Sequence, residues 1–374
     1  EKLIREKVTD FNISDISLDD AKTFALLCDA KTDGVFQLES AGMKQVLMRL
    51  EPSNIEDIIA CIALYRPGPM DSIPRYVHNK HNPQDVVYDH PILEPILNVT
   101  YGCIVYQEQV MQIFQQLAGY SLGQADLVRR AMAKKKKKEL MEQKDKFIYG
   151  APDEGITGCV SKGIPAEVAA KIFGDMESFA SYAFNKSHAA AYSFVSYQTA
   201  YLKTHYPSQF MAALLSRNLG SLDKLSNFMD EARKMKIRVL GPDINESEQN
   251  FSSKLSGDIR FGLGAIKGVG ESAVQSILDE RKKNGVFKNI FDFVQRVNLS
   301  ACNRKNIENL ALAGAFDSLK GIKREDFFVK NAKDETFTEV LVRYGNKYQL
   351  DKAAVSNSLF GGENQIEVAT PEIV

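Results

Sequence analysis

The chain has 374 residues, of which 44% are hydrophobic and 25% charged, and its formal net charge is -1. This length predicts two or three domains, and the balanced charge excludes a uniformly basic surface, so any anion-binding surface has to be local. The five cysteines form no Cys-x-x-Cys pair and no apolar run approaches the ~18 residues of a membrane span, which favours reduced thiols and predicts no membrane partner.

In chain order, residues 1–240 are predicted to be mainly helical. Ser17–Asp20 has the composition of a capping box that opens a helix through Thr23–Leu27. Asn54–Leu64 is a strongly apolar helix. It is predicted to stop at Arg66–Pro69, because proline and glycine end helices.

Two segments of this part are predicted as loops. Residues 70–100 hold His78, His81 and His90 without the spacing of a zinc site, so exposed loop positions are expected. Residues 150–163 are glycine-rich and predicted to be a surface loop. Helices are predicted around these loops at Gln107–Leu117, Gly123–Lys138, Ala166–Glu177 and Ala189–Tyr206.

The composition changes after residue 240. Asn250–Leu263 is predicted to be a short hairpin around Ser256-Gly257-Asp258, followed by small helices and glycine turns to about residue 319. From about residue 332 the chain is polar. The predicted fold class is therefore mainly α, a domain of many helices followed by a small helix-hairpin-helix domain with a short β-hairpin.

The strongest local feature is the basic run Arg129–Lys138, in which seven of ten residues are Lys or Arg. Arginine forks grip phosphate oxygens with two hydrogen bonds, and lysine adds positive charge. A solvated basic helix face is the alternative, and the run by itself does not decide between them.

A second feature is Tyr182–His188, which places a hydroxyl, an amide, an ammonium and an imidazole just before an aromatic-rich helix. Free N–H groups at a helix start favour anions, and aromatic rings stack on bases. The alternative is an ordinary capped helix with Ser187 as N-cap and its aromatic residues in the core.

The third feature is the glycine-rich stretch Phe261–Gly270. No long buried strand precedes it, so a dinucleotide-binding loop is disfavoured. Ile266-Lys267-Gly268-Val269-Gly270 instead favours a helix-hairpin-helix turn, whose N–H groups approach a DNA phosphate without reading sequence. A plain turn between helices is the alternative. No Asp-x-Asp pair of the kind that holds two metal ions is present.

Taken together, six motifs resemble the C-family replicative polymerases, the family of the DNA polymerase III alpha subunit. They occur in that family's order and cover roughly residues 20–320. They are G-V-F-Q-L-E-S-A-G-M (34–43), A-L-Y-R-P-G-P (63–69), Y-Q-E-Q-V-M-Q-I (106–113), A-D-L-V-R-R-A-M (125–132), F-N-K-S-H-A-A-A-Y (184–192) and G-A-I-K-G-V-G (264–270).

This resemblance implies a cytoplasmic, DNA-templated DNA polymerase that extends primers with dNTPs. It implies a fingers domain at 1–240 (with 1–33 the junction from a palm domain), a helix-hairpin-helix domain at 241–330, and a polar clamp-binding segment and tail at 331–374. It also implies that the chain begins just after the palm, whose aspartates bind the catalytic Mg²⁺. No catalytic or metal-binding residue is therefore expected within these 374 residues, and the segment alone is predicted to be inactive.

The resemblance also assigns roles to individual residues. Arg129 and Arg130 are expected at the triphosphate, and Tyr182 and His188 at the sugar and base, where ribonucleotides are excluded. The remaining expected positions are Lys134, Lys135, Asn185, Lys186 and Ser187 for the nucleotide, Lys136, Lys267, Gly268, Val269 and Gly270 for DNA, and Leu359 and Phe360 for the clamp.

The family's clamp-binding motif often begins with Gln, which is absent from Ser356–Phe360. The expected partners are primer–template DNA, the sliding clamp and other replicase subunits. A non-catalytic DNA-binding or scaffold module remains the alternative function.

Overall fold

The computed structural model describes residues 1–133, 137–180, 182–356 and 368–373. The chain divides into two compact units. The central unit is Asn12–His205, and the flanking unit is Glu1–Phe11 together with Tyr206–Val374. Each unit has hydrophobic cores built from its own residues.

Helices make up most of the regular structure. The described α-helices are α1 (Lys2–Arg5), α2 (Ala21–Cys28), α3 (Ala41–Leu50), α4 (Ile55–Leu64), α5 (Ile73–His81), α6 (Glu94–Leu97), α7 (Gln107–Ala118), α8 (Leu122–Ala133), α9 (Lys137–Tyr149), α10 (Ala166–Ala180), α11 (Lys186–His205), α12 (Pro207–Arg217), α13 (Leu222–Lys234), α14 (Glu271–Asn284), α15 (Ile290–Arg296), α16 (Arg304–Ala313) and α17 (Phe337–Ser356).

One small sheet accompanies the helices. Its strands are β1 (Val239–Leu240), β2 (Ser252–Ser253) and β3 (Ile259–Arg260), in the order β1-β3-β2. β2 and β3 pair antiparallel across the predicted turn, and β1 adds to β3 in parallel. The mainly α fold with a short β-hairpin is confirmed.

Side-chain caps decide where several helices begin. Asn54 accepts the N–H of Asp57 at 3.1 Å and starts α4, which confirms the apolar helix predicted there. The capping-box prediction at 17–20 is wrong in its position. Asp20 caps α2 by accepting the N–H of Thr23 at 2.8 Å, whereas the Ser17 hydroxyl accepts a hydrogen bond within the preceding turn.

The segment 70–100 is more helical than predicted. α5 begins with proline in its first turn, where the missing N–H costs no helical hydrogen bond, and it carries His78 and His81. His90 caps a short 3-10 helix by accepting the N–H of Ile92 at 3.3 Å. The prediction that the three histidines lie in loops is therefore wrong for the two on α5.

The glycine-rich segment 150–163 is anchored in the core of the central unit. Ile156 and Cys159 are buried, and burial raises the pKa of the Cys159 thiol to about 12. Gly158 donates its N–H to the carbonyl of Ala118 at 3.0 Å, and a Cβ on Gly158 would lie 2.3 Å from the backbone of Gly150. The prediction of a simple surface loop is wrong, because turn composition does not reveal where intervening apolar side chains pack.

The core of the flanking unit lies among α14 to α17 and the turns between them. Phe316 is central, with ring centroids 5.1 Å from Phe293 and 5.3 Å from Phe327. The helix-hairpin-helix turn at 266–270 packs onto this core through the buried side chains of Ile266 and Val269, while Lys267 is exposed. The compact units divide between residues 205 and 206, and the predicted domain boundaries at 240 and 330 stay a prediction.

Candidate nucleic-acid interface

Two arginines on α8 share one carboxylate. Arg129 Nη2 lies 2.7 Å from Asp126 Oδ1, and Arg130 Nε lies 2.8 Å from Asp126 Oδ2. The hydrogen bond from Arg129 holds the pKa of the Asp126 carboxyl below its ordinary value. Two guanidinium groups and one carboxylate leave one excess positive charge. The Arg129 side chain is 15% exposed and the Arg130 side chain 64%, so Arg130 is the more accessible of the two.

A cavity of about 520 Å³ lies beside Arg130 and is lined by Glu139, Glu142 and Glu154 among others. Lys146 pairs with Glu142 at 2.8 Å and Glu154 at 2.7 Å. Arg130 borders this cavity and its side chain is 64% exposed, so its guanidinium is open to solvent.

The segment 182–188 leads into α11, and Asn185 is the residue that caps it. Asn185 Oδ1 accepts the N–H of His188 at 2.9 Å, so the alternative with Ser187 as N-cap is wrong. Ser187 lies inside the first turn and is exposed. The N-cap position falls on Asn185 because the helix begins at Lys186, three residues earlier than predicted.

Lys186 is held by carboxylates. Its Nζ lies 2.9 Å from Glu56 Oε2 and 5.3 Å from the ring centroid of Tyr106, and its main-chain N–H donates to both oxygens of Glu108 at 3.1 and 3.2 Å. A triphosphate has to compete with Glu56 for this ammonium group. Sequence reasoning missed both glutamates, which lie far from position 186 along the chain.

Tyr182 rests on the Arg-Pro-Gly-Pro turn. Gly68 has φ +100°, and a Cβ on it would lie 2.5 Å from two carbons of the Tyr182 ring. Arg66 donates from Nη2 to the Tyr182 carbonyl, and its guanidinium lies 4.3 Å from the ring centroid of Phe184. Arg66 and Gly68 thus support the segment 182–188. A glycine between two prolines was the available sequence signal for such a close contact.

The structure forms two local groups from the predicted nucleotide residues. One group is Arg129 and Arg130, joined through Asp126. The other is residues 182–188, whose partners are Glu56, Glu108 and the 66–68 turn. The two groups have different partners, so their use by one ligand stays a prediction. Lys134, Lys135 and Lys136 lie outside the described residues, as do Leu359 and Phe360.

The helix-hairpin-helix turn is built from glycine geometry and two asparagines of α16. Gly268 has φ +81° and its carbonyl accepts Asn309 Nδ2 at 3.1 Å, while Gly270 donates its N–H to Asn306 Oδ1 at 3.2 Å. The N–H groups of Lys267 and Gly268 donate to no described residue. Exposed N–H groups beside a lysine form a site where a backbone phosphate fits.

Within residues 1–133, 137–180, 182–356 and 368–373, no group of three His, Cys, Asp or Glu side chains has the arrangement needed to hold a metal ion. In the same part of the chain, no helix is long and apolar enough to cross a membrane.

The sequence is similar to known protein families and relatives. The finger domain of the bacterial DNA polymerase III alpha subunit matches residues 1–155, and a helix-hairpin-helix motif matches residues 236–326. The DNA polymerase III subunit alpha of Chlamydia trachomatis is 48% identical over 323 residues, which are 86% of this chain and 25% of that protein. The chain belongs to the bacterial DNA polymerase III alpha subunit family.

Other relatives in the alpha-subunit family agree. The protein from Pseudomonas aeruginosa is 49% identical over 315 residues, 82% of this chain and 26% of its own length. The Haemophilus influenzae protein is 44% identical over 367 residues, 96% of this chain and 30% of its own length. The chain thus spans 25% to 30% of the length of these relatives. The finger-domain match contains Arg129 and Arg130, and the helix-hairpin-helix match contains Lys267–Gly270.

Proposed function

We propose that this chain is the part of a cytoplasmic, replicative DNA-templated DNA polymerase that binds the incoming dNTP and the backbone of the primer–template duplex. The observation that carries the proposal is the doubly held Asp126, which orients two guanidinium groups on a helix inside the finger-domain match. An arginine pair fixed in this way suits the several oxygens of a triphosphate.

The proposed role of the pair is charge stabilisation. Phosphoryl transfer depends mainly on positioning and on neutralising charge, so residues that perform no covalent chemistry still control the rate. Arg130 would bind the triphosphate from its exposed side, while Asp126 keeps Arg129 and Arg130 in register. Lys186 would contact the triphosphate only after its ion pair with Glu56 is broken.

Sugar discrimination is proposed for Tyr182 and His188. The His188 ring packs 5.5 Å from Phe184 and 4.4 Å from Tyr192, and Tyr182 lies against Gly68. Because neighbouring residues hold these rings in place, the rings would exclude the additional 2′-hydroxyl of a ribonucleotide sterically. In the full-length enzyme, Tyr182→Ala and His188→Ala are expected to raise ribonucleotide incorporation.

Duplex binding is proposed for the turn at 266–270, where Lys267 is exposed and the N–H groups of Lys267 and Gly268 donate to no described residue. The magnesium ions of such a reaction would polarise the phosphates and activate the primer 3′-hydroxyl. We propose that their aspartate ligands belong to a palm domain outside these 374 residues, and that Leu359 and Phe360 contact a sliding clamp.

The deciding experiment compares Arg130→Ala with Arg233→Ala in the full-length enzyme. Arg233 is a matched control, since it pairs with Asp230 three positions earlier on α13 and its side chain is 77% exposed. Arg130→Ala is expected to raise the dNTP KM or lower kcat at least tenfold, whereas Arg233→Ala should match wild type. Equal kinetics for both variants would remove Arg130 from the nucleotide site.

A non-catalytic DNA-binding module is the second candidate, favoured by the exposed Lys267 of the 266–270 turn and by the pairing of Lys186 with Glu56. Both candidates predict salt-sensitive duplex binding, because phosphate contacts release counterions. Only the polymerase proposal predicts that dNTPs protect residues 125–190 saturably from hydrogen exchange in the full-length enzyme. Absence of that protection together with duplex binding would favour the second candidate.

A further inference from the structure

α11 buries two serines and leaves several large apolar side chains exposed. Ser193 and Ser196 are completely buried, and both hydroxyls bond back to carbonyls of the same helix, at 2.7 and 3.0 Å. Small side chains let α11 pack closely along α4. Tyr192, Phe194 and Val195 are 36 to 42% exposed instead. A helix that leaves these side chains in water keeps a face available for contact.

Four rings form a continuous series on this face, which we call the ring ladder: Phe184, His188, Tyr192 and Phe36. Successive centroids are 5.5, 4.4 and 5.4 Å apart. His188 and Tyr192 meet because positions four apart share one side of α11, and Phe184 adjoins His188 from the segment before the Asn185 cap. Phe36 reaches the ladder from another part of the central unit, where its N–H donates to Thr199 Oγ1 at 3.1 Å. The guanidinium of Arg66 covers the Phe184 end.

We propose that the ring ladder is a stacking platform for unpaired bases of a DNA strand, such as the template ahead of the primer end. The inference rests on the proposed function and adds a second ligand to it. One stacked base occupies about 3.4 Å along a strand, whereas ring centroids at these spacings extend over on the order of 15 Å. The ladder is therefore too long for the single base of an incoming dNTP and long enough for several bases.

The chemistry of the ladder selects bases over an aliphatic protein surface. Every base has a π-face that stacks on Phe, Tyr or His, independently of sequence. Arg66 stacks on the Phe184 ring and is not neutralised by a carboxylate among the described ion pairs, so one end of the ladder carries positive charge. Burial lowers the pKa of Arg66, but an arginine remains charged at neutral pH.

The test measures binding of fluorescein-labelled oligonucleotides to the 374-residue chain by anisotropy at fixed salt. Two DNA probes are compared, a blunt duplex and the same duplex with a single-stranded overhang of six dT. Wild type is expected to bind the overhang probe at least fivefold more tightly. Tyr192→Leu and Phe36→Leu should abolish that preference, while Tyr192→Phe retains it because the ring is kept.

The matched control is Tyr149→Leu, which removes an exposed tyrosine of the central unit that is outside the ladder and should leave the preference unchanged. Circular dichroism checks that each variant is folded. Equal affinity of wild type for both probes, or an overhang preference that survives Tyr192→Leu, would overturn the proposal. Concentration-dependent association of wild type that Tyr192→Leu abolishes, without any overhang preference, would assign the face to protein contact and also overturn it.

Binding of dNTP is measured in parallel on the same variants. If Tyr192→Leu and Phe36→Leu weaken dNTP binding and leave the overhang preference intact, the ladder belongs to the incoming nucleotide and the inference fails. If wild type binds the overhang through the ladder but binds no dNTP, the proposed nucleotide role fails and the ladder assignment stands.

Discussion

Replacing Gly68 with alanine should displace Tyr182 and weaken sugar discrimination. The new Cβ would lie 2.5 Å from Cδ1 and Cε1 of the Tyr182 ring and 3.2 Å from Cγ. Restoring ordinary contact requires the ring to move by about 1 Å, a misplacement that can cost on the order of 100-fold in a catalytic site. The backbone at φ +100° adds strain of about 1–2 kcal/mol for a residue with a side chain.

Two measurements follow from this geometry. The free energy of unfolding, from urea denaturation, should fall by about 1–3 kcal/mol. In the full-length enzyme, the preference for dNTP over rNTP should fall at least tenfold. A double variant, Gly68→Ala with Tyr182→Ala, should recover part of the stability because the ring that clashes is gone.

Gly155→Ala is the matched control. Gly155 also has positive φ, +72°, but a Cβ there meets nothing within 4 Å. It should therefore lose only the strain contribution and keep full sugar discrimination. If Gly68→Ala and Gly155→Ala behave alike in both measurements, the contact with Tyr182 has no functional consequence and the reasoning is refuted.

Two further predictions concern charge. Burial tends to raise the pKa of Asp20, but hydrogen bonds from His205 and Thr23 lower it below its ordinary 3.8, so its charged form stabilises the folded chain. Asp20→Asn should reduce the free energy of unfolding by about 1 kcal/mol at pH 7. Urea denaturation at several pH values should show this difference shrinking as the pH falls below about 4, where wild-type Asp20 becomes protonated; a constant difference down to pH 2 would contradict it. Lys267→Ala should lower the slope of log affinity for duplex DNA against log salt by about 1, with Lys320→Ala as the exposed control, and an unchanged slope would exclude a phosphate contact at Lys267.

Local patterns predicted much of the fold. The α4 helix follows from Asn54 and an apolar run, because cap and helix involve residues only a few positions apart. The β2–β3 hairpin follows equally from its turn residues. The helix-hairpin-helix turn at 266–270 was visible for the same reason, since glycine at φ +81° is a local requirement.

The candidate site was predicted only in part. The residue types at 129–130 and 182–188 indicated phosphate and base chemistry, whereas Arg66 and Gly68 were predicted only to end a helix and to belong to a family motif. Both residues contact Tyr182, which lies 116 positions after Arg66 in the chain. No local sequence pattern encodes a contact at that separation. The same holds for the pairing of Lys186 with Glu56.

By itself, the sequence determined where several of the helices lie, which short turns carry glycine, and which segments concentrate basic and aromatic side chains. Only the tertiary structure decided that α11 exposes Tyr192 and buries Ser193, and that Glu56 pairs with the Lys186 ammonium. The physical reason is that helix starts and turns depend on hydrogen bonds between near neighbours. The exposure and pairing of a side chain depend on whichever distant segment packs against it.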